Sequence, residues 1–183
     1  MIYEPAEDSF LLLNFVKKYV KKGMKVLDMG TGSGIFAENA MKLGADVLAA
    51  DINEEAVEIC KRNGINVVQS DLFENIKGKF DLIIFNPPYL PEEREYVGIK
   101  FTEKDFNYVN DLALVGGKKG YETIERFFSQ VKDYLNERGM VLISFSSLSG
   151  DVLKIIGEYG FKFRKLGEKR VFFEALYVYE CYR

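Results

Sequence analysis

The segment FNPPYLP, residues 85–91, directly follows the apolar run FDLII. Pro87 and Pro88 cannot donate hydrogen bonds to a sheet and each fixes its own φ angle, so they should end the strand and stiffen the loop after it. Open α/β sheets bind ligands at the carboxyl ends of their strands, where such a loop would lie. The segment predicts either a rigid binding loop that includes Asn86 and Tyr89, or a proline-rich turn with no further role.

A glycine-rich turn, VLDMGTGSG at residues 26–34, joins a predicted strand to a predicted helix. Gly30, Gly32 and Gly34 let the backbone approach a ligand closely and expose amide donors at the helix start. Dinucleotide-binding folds use a similar turn, but here the spacing is GxGxG and Asp28 precedes the first glycine. A carboxylate in this place suits the amino group of a ligand better than a pyrophosphate.

Two further aspartates follow the next two predicted strands. Asp51 lies 23 positions after Asp28, close to the offset of about 20 residues at which a carboxylate binds a ribose hydroxyl, and Ile52 lies beside it. Asp71 is placed to accept a hydrogen bond from an adenine amine, with the backbone of Leu72 nearby. Each aspartate alone could serve a turn or a helix cap, but all three in order predict a nucleotide-like ligand.

The elements that would position these residues are strands alternating with helices, which predicts βαβ units and a largely parallel sheet. Only a short turn region around Gly167 separates the last two strands, so they should pair as an antiparallel hairpin at one edge. The seven predicted strands are MKVLDMG, ADVLAADIN, INVVQSD, FDLIIFNPP, GMVLISFSS, GFKFRKL and RVFFEALYVYE.

Helical spacing of apolar residues predicts four helices between these strands and one that opens the chain after Pro5. Gly139 is the predicted stop of the third, which has the clearest spacing. The polar segment from Glu92 to Lys119 lacks periodicity and is long for a connection, so we interpret it as a functional loop or lid. The four helices are GIFAENAMKL, EEAVEICKRNG, GYETIERFFSQVKDYLNERG and SGDVLKIIGEYG.

The composition narrows the possible functions. The 183 residues, 48% of them apolar, suit one domain over residues 1–183, and a net charge of −3 disfavours duplex DNA as a partner. The absence of histidine excludes Ser-His-Asp and Cys-His catalysis and histidine metal sites, and no metal site is expected. Cys60 and Cys181 form no CxxC pair, and we predict that Cys60 lies in the core. We expect neither a membrane span nor a signal segment, which predicts a cytoplasmic location.

Taken together, DMGTGSG, AADIN, SDLF and NPPY resemble the motifs of class I S-adenosylmethionine-dependent methyltransferases of the NPPY type. YEPAEDSFLLL, residues 3–13, and GGKKGYETIERFF, residues 116–128, are similar to segments of the HemK-like release-factor glutamine methyltransferases, in their short archaeal and eukaryotic branch. The resemblance covers nearly the whole chain. It implies an α/β, Rossmann-like sheet of seven strands in the order 3-2-1-4-5-7-6, mostly parallel with one antiparallel strand, and helices on both faces.

The resemblance also implies a cofactor, a substrate and a partner. The cofactor would be S-adenosylmethionine, contacted by Ser9 and Asn86; the substrate would be the GGQ glutamine of a release factor; and the partner would be a small zinc-binding activator. Because INVVQSD would be an apolar edge strand without proline or lysine, we expect the activator to add a strand beside Asn66 to Gln69. The alternative is an edge that the chain's own loops shield.

The NPPY loop gains a chemical role under this interpretation. If the side-chain oxygen of Asn86 and the backbone carbonyl of Pro87 accept hydrogen bonds from a substrate NH2, they orient its nitrogen toward the methyl donor and stabilise the charge it gains. Pro88 stiffens the loop without adding a donor, and Tyr89 can pack against the flat amide. Two alternatives stay open: methylation of an exocyclic base nitrogen in RNA or DNA, and a non-catalytic binding subunit.

Overall fold

A computed structural model describes residues 4–92, 94–96, 99–101, 113–171 and 174–183. Its helices are α1 (Glu7–Tyr19), α2 (Ile35–Lys42), α3 (Glu54–Arg62), α4 (Glu122–Gln130) and α5 (Val152–Glu158), and a 3-10 turn at Val131–Tyr134 follows α4. Its strands are β1 (Lys25–Met29), β2 (Asp46–Asp51), β3 (Val67–Gln69), β4 (Phe80–Phe85), β5 (Leu90–Pro91), β6 (Arg94–Tyr96), β7 (Ile99–Phe101), β8 (Val115–Gly117), β9 (Leu135–Ser146), β10 (Lys162–Val171) and β11 (Glu174–Tyr182).

Seven of these strands form one twisted sheet in the order β3-β2-β1-β4-β9-β11-β10. The first five run parallel to each other, and β11 runs antiparallel to both β9 and β10. This confirms the predicted strand order, in which the sixth and seventh strands exchange places, and the predicted antiparallel hairpin. Because β1, β2, β3 and β4 are parallel, the residues that follow them meet at one edge of the sheet.

The core consists of two apolar clusters, one on each face of the sheet. Successive residues of a central strand alternate between them, as the pleat requires: Leu82 and Ile84 belong to one cluster, and Ile83 and Phe85 to the other. The buried faces of α1 and α2 cover the first cluster, where Cys60 is fully buried as predicted, and those of α4 and α5 cover the second. Helices therefore protect both faces of the sheet.

The turn predicted around Gly167 is wrong, because β10 continues through this residue to Val171. The pairing of β10 with β11 shifts register between Lys165 and Gly167, which marks a β-bulge. A Cβ atom at Gly167 would lie 2.7 Å from Cε2 of Phe15 on α1. The glycine is needed for the close approach of a helix and not for a reversal of the chain.

The helix predicted over residues 120–139 is too long. Helix α4 ends at Gln130, the 3-10 turn follows, and Leu135 already pairs with Phe80 as the first residue of β9. The apolar positions after Gln130 are nevertheless packed inward, because the ring of Tyr134 stacks on Phe73 with 4.4 Å between centroids. Tertiary packing thus preserves the predicted contacts while it changes the backbone conformation.

The segment predicted as a functional loop or lid, Glu92 to Lys119, is described only in part. Strands β6 and β7 form an antiparallel hairpin, and β8 pairs in parallel with β5, directly after the NPPY loop. Residues 93, 97–98 and 102–112 lie outside the described residues, and the predicted lid function stays a prediction. No helix in the described part of the chain is long and apolar enough to cross a membrane.

Candidate active site

A cavity of about 560 Å³ lies beyond the carboxyl ends of the parallel strands. Its volume is in the range of small-molecule and cofactor sites. Residues that follow four different strands line it, together with the first turn of α1, so the predicted convergence of strand ends is present. Of the predicted site residues, those that line the cavity are Ser9, Gly30, Gly32, Asp51, Ile52, Asp71, Leu72, Asn86, Pro87, Pro88 and Tyr89.

The glycine-rich turn is held against the end of β2 by the Asp51 carboxylate. The Gly32 N–H donates to Asp51 Oδ2 at 2.8 Å, and the Asn53 N–H donates to Asp51 Oδ1 at 2.9 Å. Gly30 and Gly32 adopt positive φ angles of 64° and 52°, a conformation that glycine reaches without strain. Burial raises the pKa of Asp51, although the backbone donors oppose this change.

Asp28 lies behind the turn and does not line the cavity. Its Oδ2 atom accepts hydrogen bonds from Thr31 Oγ1 at 2.7 Å and from the Ala37 N–H at 3.0 Å, while Oδ1 has no partner within the described residues. Complete burial raises the pKa of Asp28 to about 7. The geometry therefore gives this carboxyl group a role in joining the glycine turn to the start of α2.

Gly34 also stands back from the cavity. It has a φ of 84°, and a Cβ atom there would lie 2.7 Å from Cδ1 of Ile65 and 3.2 Å from Sγ of Cys60. The third glycine of the motif therefore permits close packing of the turn against the segment that follows β2, and it is not among the residues that line the cavity.

The wall of the cavity after β2 and β3 combines polar groups with an apolar surface. Asp71 forms an ion pair with Arg126 of α4, with 2.8 Å between Oδ2 and Nη2. Leu72 has a φ of 47°, the one positive value for a non-glycine residue in the described chain, and its carbonyl accepts a hydrogen bond from Ser70 Oγ at 2.7 Å. The side chain of Ile52 remains 56% exposed and supplies a flat apolar surface.

The NPPY loop is bonded to α1 and β9. Asn86 Nδ2 donates to Asp8 Oδ2 at 3.1 Å and to Ser9 Oγ at 3.4 Å, and Asn86 Oδ1 accepts a hydrogen bond from the Ser144 hydroxyl. The Tyr89 hydroxyl donates to the same Asp8 Oδ2 atom at 3.0 Å. One carboxylate therefore holds both the first and the last residue of the motif.

Sequence reasoning missed Asp8 and Ser144. Asp8 lies in the first turn of α1 and is only 4% exposed. The available signal was its place on the apolar face of α1, four and eight residues before the buried Leu12 and Val16. A carboxylate on the buried face of a helix must find hydrogen-bond donors, which here come from the NPPY motif.

Glycines downstream of the NPPY loop allow its backbone to lie against β8. A Cβ atom at Gly116 would lie 2.5 Å from the Pro88 carbonyl oxygen, and one at Gly120 would lie 2.6 Å from the Tyr89 carbonyl oxygen. The Tyr89 N–H donates to the Leu114 carbonyl at 3.1 Å. The segment GGKKG, residues 116–120, therefore needs glycine at Gly116 and Gly120 so that the backbone of the NPPY loop can pack against it.

The chain matches a known protein family. Residues 7–108 match the family model described as the methyltransferase small domain. The chain belongs to this family. This methyltransferase is 39% identical, over its whole length and 92% of the relative's, to a Methanocaldococcus jannaschii protein whose assigned name is protein N5-glutamine methyltransferase. It is 34% identical to mouse Methyltransferase HEMK2 over 76% of its own length and 69% of that protein.

A solved structure supports the same class. The Mtq2–Trm112 complex of E. cuniculi matches this methyltransferase with a TM-score of 0.79 and 28% identity, covering all of this chain and 98% of the matched chain. That complex is described as responsible for the methylation of the eRF1 translation termination factor. The expected HemK-like class, the Rossmann-like fold and the use of S-adenosylmethionine by a methyltransferase enzyme are thereby confirmed.

Proposed function

We propose that this methyltransferase transfers a methyl group from S-adenosylmethionine to the side-chain amide nitrogen of a glutamine, in the GGQ motif of a translation release factor. The proposal rests mainly on the Asn86 amide, which lines the cofactor cavity and is held there by hydrogen bonds at both its nitrogen and its oxygen. The names of the M. jannaschii relative and of the E. cuniculi complex support a glutamine amide in a termination factor as the acceptor.

The described residues fit the cofactor. We assign Asp51 to the ribose hydroxyls, since a carboxylate has about four acceptor sites and the backbone N–H groups of Gly32, Ile52 and Asn53 use three of them. Ile52 offers an apolar surface for the adenine ring, with Asp71 and the strained backbone of Leu72 at its edge. The unused N–H of Leu72 has no hydrogen-bond partner in the described part of the chain, which leaves it available to a ring nitrogen.

The amino-acid part of the cofactor would lie between the glycine turn and the first turn of α1. The backbone at Gly30 and Gly32 and the hydroxyl of Ser9 line this part of the cavity. We assign Asp28 and Gly34 a supporting role, because both lie behind the turn. When bound, S-adenosylmethionine supplies a methyl group on a positively charged sulfur.

The NPPY loop would orient the acceptor amide. Asn86 Oδ1 already accepts from Ser144, and a carbonyl oxygen has a second lone pair for one N–H of the substrate. The Pro87 carbonyl would accept the other N–H. Two fixed acceptors select an NH2 group, aim its nitrogen and stabilise the positive charge that it gains. Pro88 would keep this loop stiff, and the ring of Tyr89, which is anchored to Asp8 through its hydroxyl, would lie beside the acceptor amide.

The proposed partner is a small activator protein that pairs with the edge strand β3. The Asn66 carbonyl accepts from the Ala49 N–H and the Ser70 N–H donates to the Asp51 carbonyl, so these two groups face β2. Alternate residues of a strand point their backbone groups in opposite directions, and the N–H and C=O groups of Val67 and Gln69 therefore point away from the sheet. The Gln69 carbonyl accepts a hydrogen bond from Asn75 Nδ2 at 2.9 Å, and the other outward-pointing groups form the edge at which an added strand would pair. Zinc binding by the activator and the cytoplasmic location of the enzyme stay predictions.

One assay tests the proposed function. Radiolabelled S-adenosylmethionine is incubated with the enzyme and a release factor whose GGQ glutamine is intact or replaced by alanine, with and without the candidate activator. Label should enter the intact factor and be lost with the glutamine. Label in ribosomal RNA or DNA supplied as the acceptor would support the base-methylation alternative, and no transfer to any acceptor would support a non-catalytic subunit.

A further inference from the structure

We infer that Asp8 is a positioning residue that fixes which end of the Asn86 amide faces the substrate. This inference rests on the proposed function, in which Asn86 must present its oxygen to an NH2 group. Asp8 belongs to α1, lies 78 positions before Asn86 in the chain, and donates no hydrogen bond when it is ionised.

An asparagine amide has two ends of similar shape, and a rotation by a half-turn exchanges them. The oxygen end accepts hydrogen bonds and the nitrogen end donates them. If Asn86 presented its NH2 group to the substrate NH2, two donors would face each other and the proposed clamp would fail. The orientation of this amide therefore decides whether the site can hold its acceptor.

Three side chains in the described structure bond the Asn86 amide, and only one of them can select its orientation. The hydroxyls of Ser9 and Ser144 can each donate or accept, so they accommodate either end of the amide. The Asp8 carboxylate accepts only, and its Oδ2 atom lies 3.1 Å from Asn86 Nδ2. In the exchanged orientation two oxygens would meet at this distance without a proton between them.

The Asp8 carboxylate is itself firmly held. It is 4% exposed, and its Oδ1 atom accepts from the Ser9 N–H at 2.6 Å and from the Ser9 hydroxyl at 3.2 Å. Its Oδ2 atom accepts from Tyr89 as well as from Asn86. A buried carboxylate with this many donors has a defined position and can impose it on the NPPY loop.

An exchange of the two side chains tests the inference. In Asn86→Asp, two carboxyl groups meet in a buried site, and activity should fall by at least about 100-fold. In the double variant Asp8→Asn/Asn86→Asp, the amide introduced on α1 can donate to the carboxylate introduced in the NPPY loop, which still offers acceptor oxygens to the substrate. We expect the double variant to recover at least about tenfold in kcat over Asn86→Asp, the scale of one charge-assisted hydrogen bond. If kcat of the double variant does not exceed that of Asn86→Asp, the two changes are merely additive and the inference is wrong.

A binding measurement separates orientation from general loss of structure. In the wild type, two fixed acceptors should repel a release factor whose GGQ glutamine is changed to glutamate. In Asp8→Ala, Asn86 can turn its NH2 group toward that carboxylate, so the ratio of the Kd values for the glutamate and glutamine forms should fall by about tenfold. An unchanged ratio in a folded Asp8→Ala protein contradicts the inference.

The matched control is Glu7→Gln, which alters a neighbouring, exposed acid of the same helix turn that pairs with Lys169 on the surface. It should leave both kcat and the Kd ratio unchanged, and a change as large as that in Asp8→Ala would contradict a specific role for Asp8. Failure of the wild type to methylate or bind any release factor would instead refute the proposed function, so the two failures are distinguishable.

Discussion

The backbone N–H of Gly32 donates a hydrogen bond of 2.8 Å to the carboxylate of Asp51. This bond joins the glycine-rich turn after β1 to the end of β2, two parts of the sequence that supply different sides of one cavity. The same carboxylate also bonds the N–H of Asn53, the residue that caps the start of α3. Asp51 is therefore both a proposed ligand of the ribose and the group that holds the glycine-rich turn against the end of β2.

Asp51→Ala should weaken cofactor binding by at least about tenfold, because it removes the proposed ribose acceptor and an anchor of the turn. Calorimetric titration with S-adenosylmethionine measures this effect. Circular dichroism should show an intact fold, since the aspartate contributes no side chain to the apolar core. Wild-type affinity in the variant would eliminate the ribose assignment.

Asn86→Ala should have the opposite profile. The cofactor should bind within a few-fold of the wild-type affinity, while turnover should fall by roughly 100- to 1000-fold, the cost of losing one hydrogen-bond partner in the transition state. Ser144→Ala is an informative companion, since it removes only the partner of Asn86 Oδ1 and should cause a smaller loss. Near-normal turnover of Asn86→Ala under saturating substrate would remove the amide clamp from the mechanism.

Asp28 should make the stability of the enzyme depend on pH. Burial raises its pKa from the ordinary 3.8 to about 7, so the folded protein favours the protonated form. Its contribution to stability is complete below about pH 4 and is lost as the pH rises through 7. The side chain of Asp28→Asn cannot ionise. The free energy of unfolding of this variant, relative to that of the wild type, should therefore increase by roughly 3 kcal/mol from about pH 4.5 to about pH 8. Urea denaturation of both proteins at the two pH values measures this gain, and an equal difference at both would refute it.

Gly167→Ala should destabilise the fold by about 1–3 kcal/mol, because the added methyl group would overlap the ring of Phe15 on α1. Gly157→Ala is the matched control: it lies in α5, nothing occupies the space within 4 Å of its new methyl group, and it should stabilise the protein by about 0.5–1 kcal/mol. Urea midpoints compare the two variants. If the urea midpoints of both variants shift in the same direction, the close approach of α1 is not the reason for glycine at position 167.

The sequence predicts the sheet and the residues at its strand ends because both follow from local patterns. Apolar runs identify the strands, and the residue after each run, such as Asp51 or Asn86, must then lie at the ligand-binding edge. The link between Asp8 and Asn86 spans 78 positions and depends on where α1 packs, which no local pattern contains. The prediction for Gly167 is wrong for the same reason, since the ring that demands a glycine belongs to Phe15.

The final prediction concerns the edge strand β3 and the proposed activator. Val67→Pro removes an N–H that points away from the sheet, so the pairing of β3 with β2 can persist while an added strand loses a hydrogen bond and meets the proline ring.

We expect this variant to remain folded by circular dichroism and to lose co-purification with the activator. The matched control is Val68→Pro: alternation turns the Val68 N–H toward β2, and this change should damage the isolated enzyme itself. Because Asp71 follows the same strand at the cavity, activator binding should also tighten cofactor binding in the wild type, and Val67→Pro should abolish this coupling. Normal affinity of Val67→Pro for the activator would show that docking occurs elsewhere.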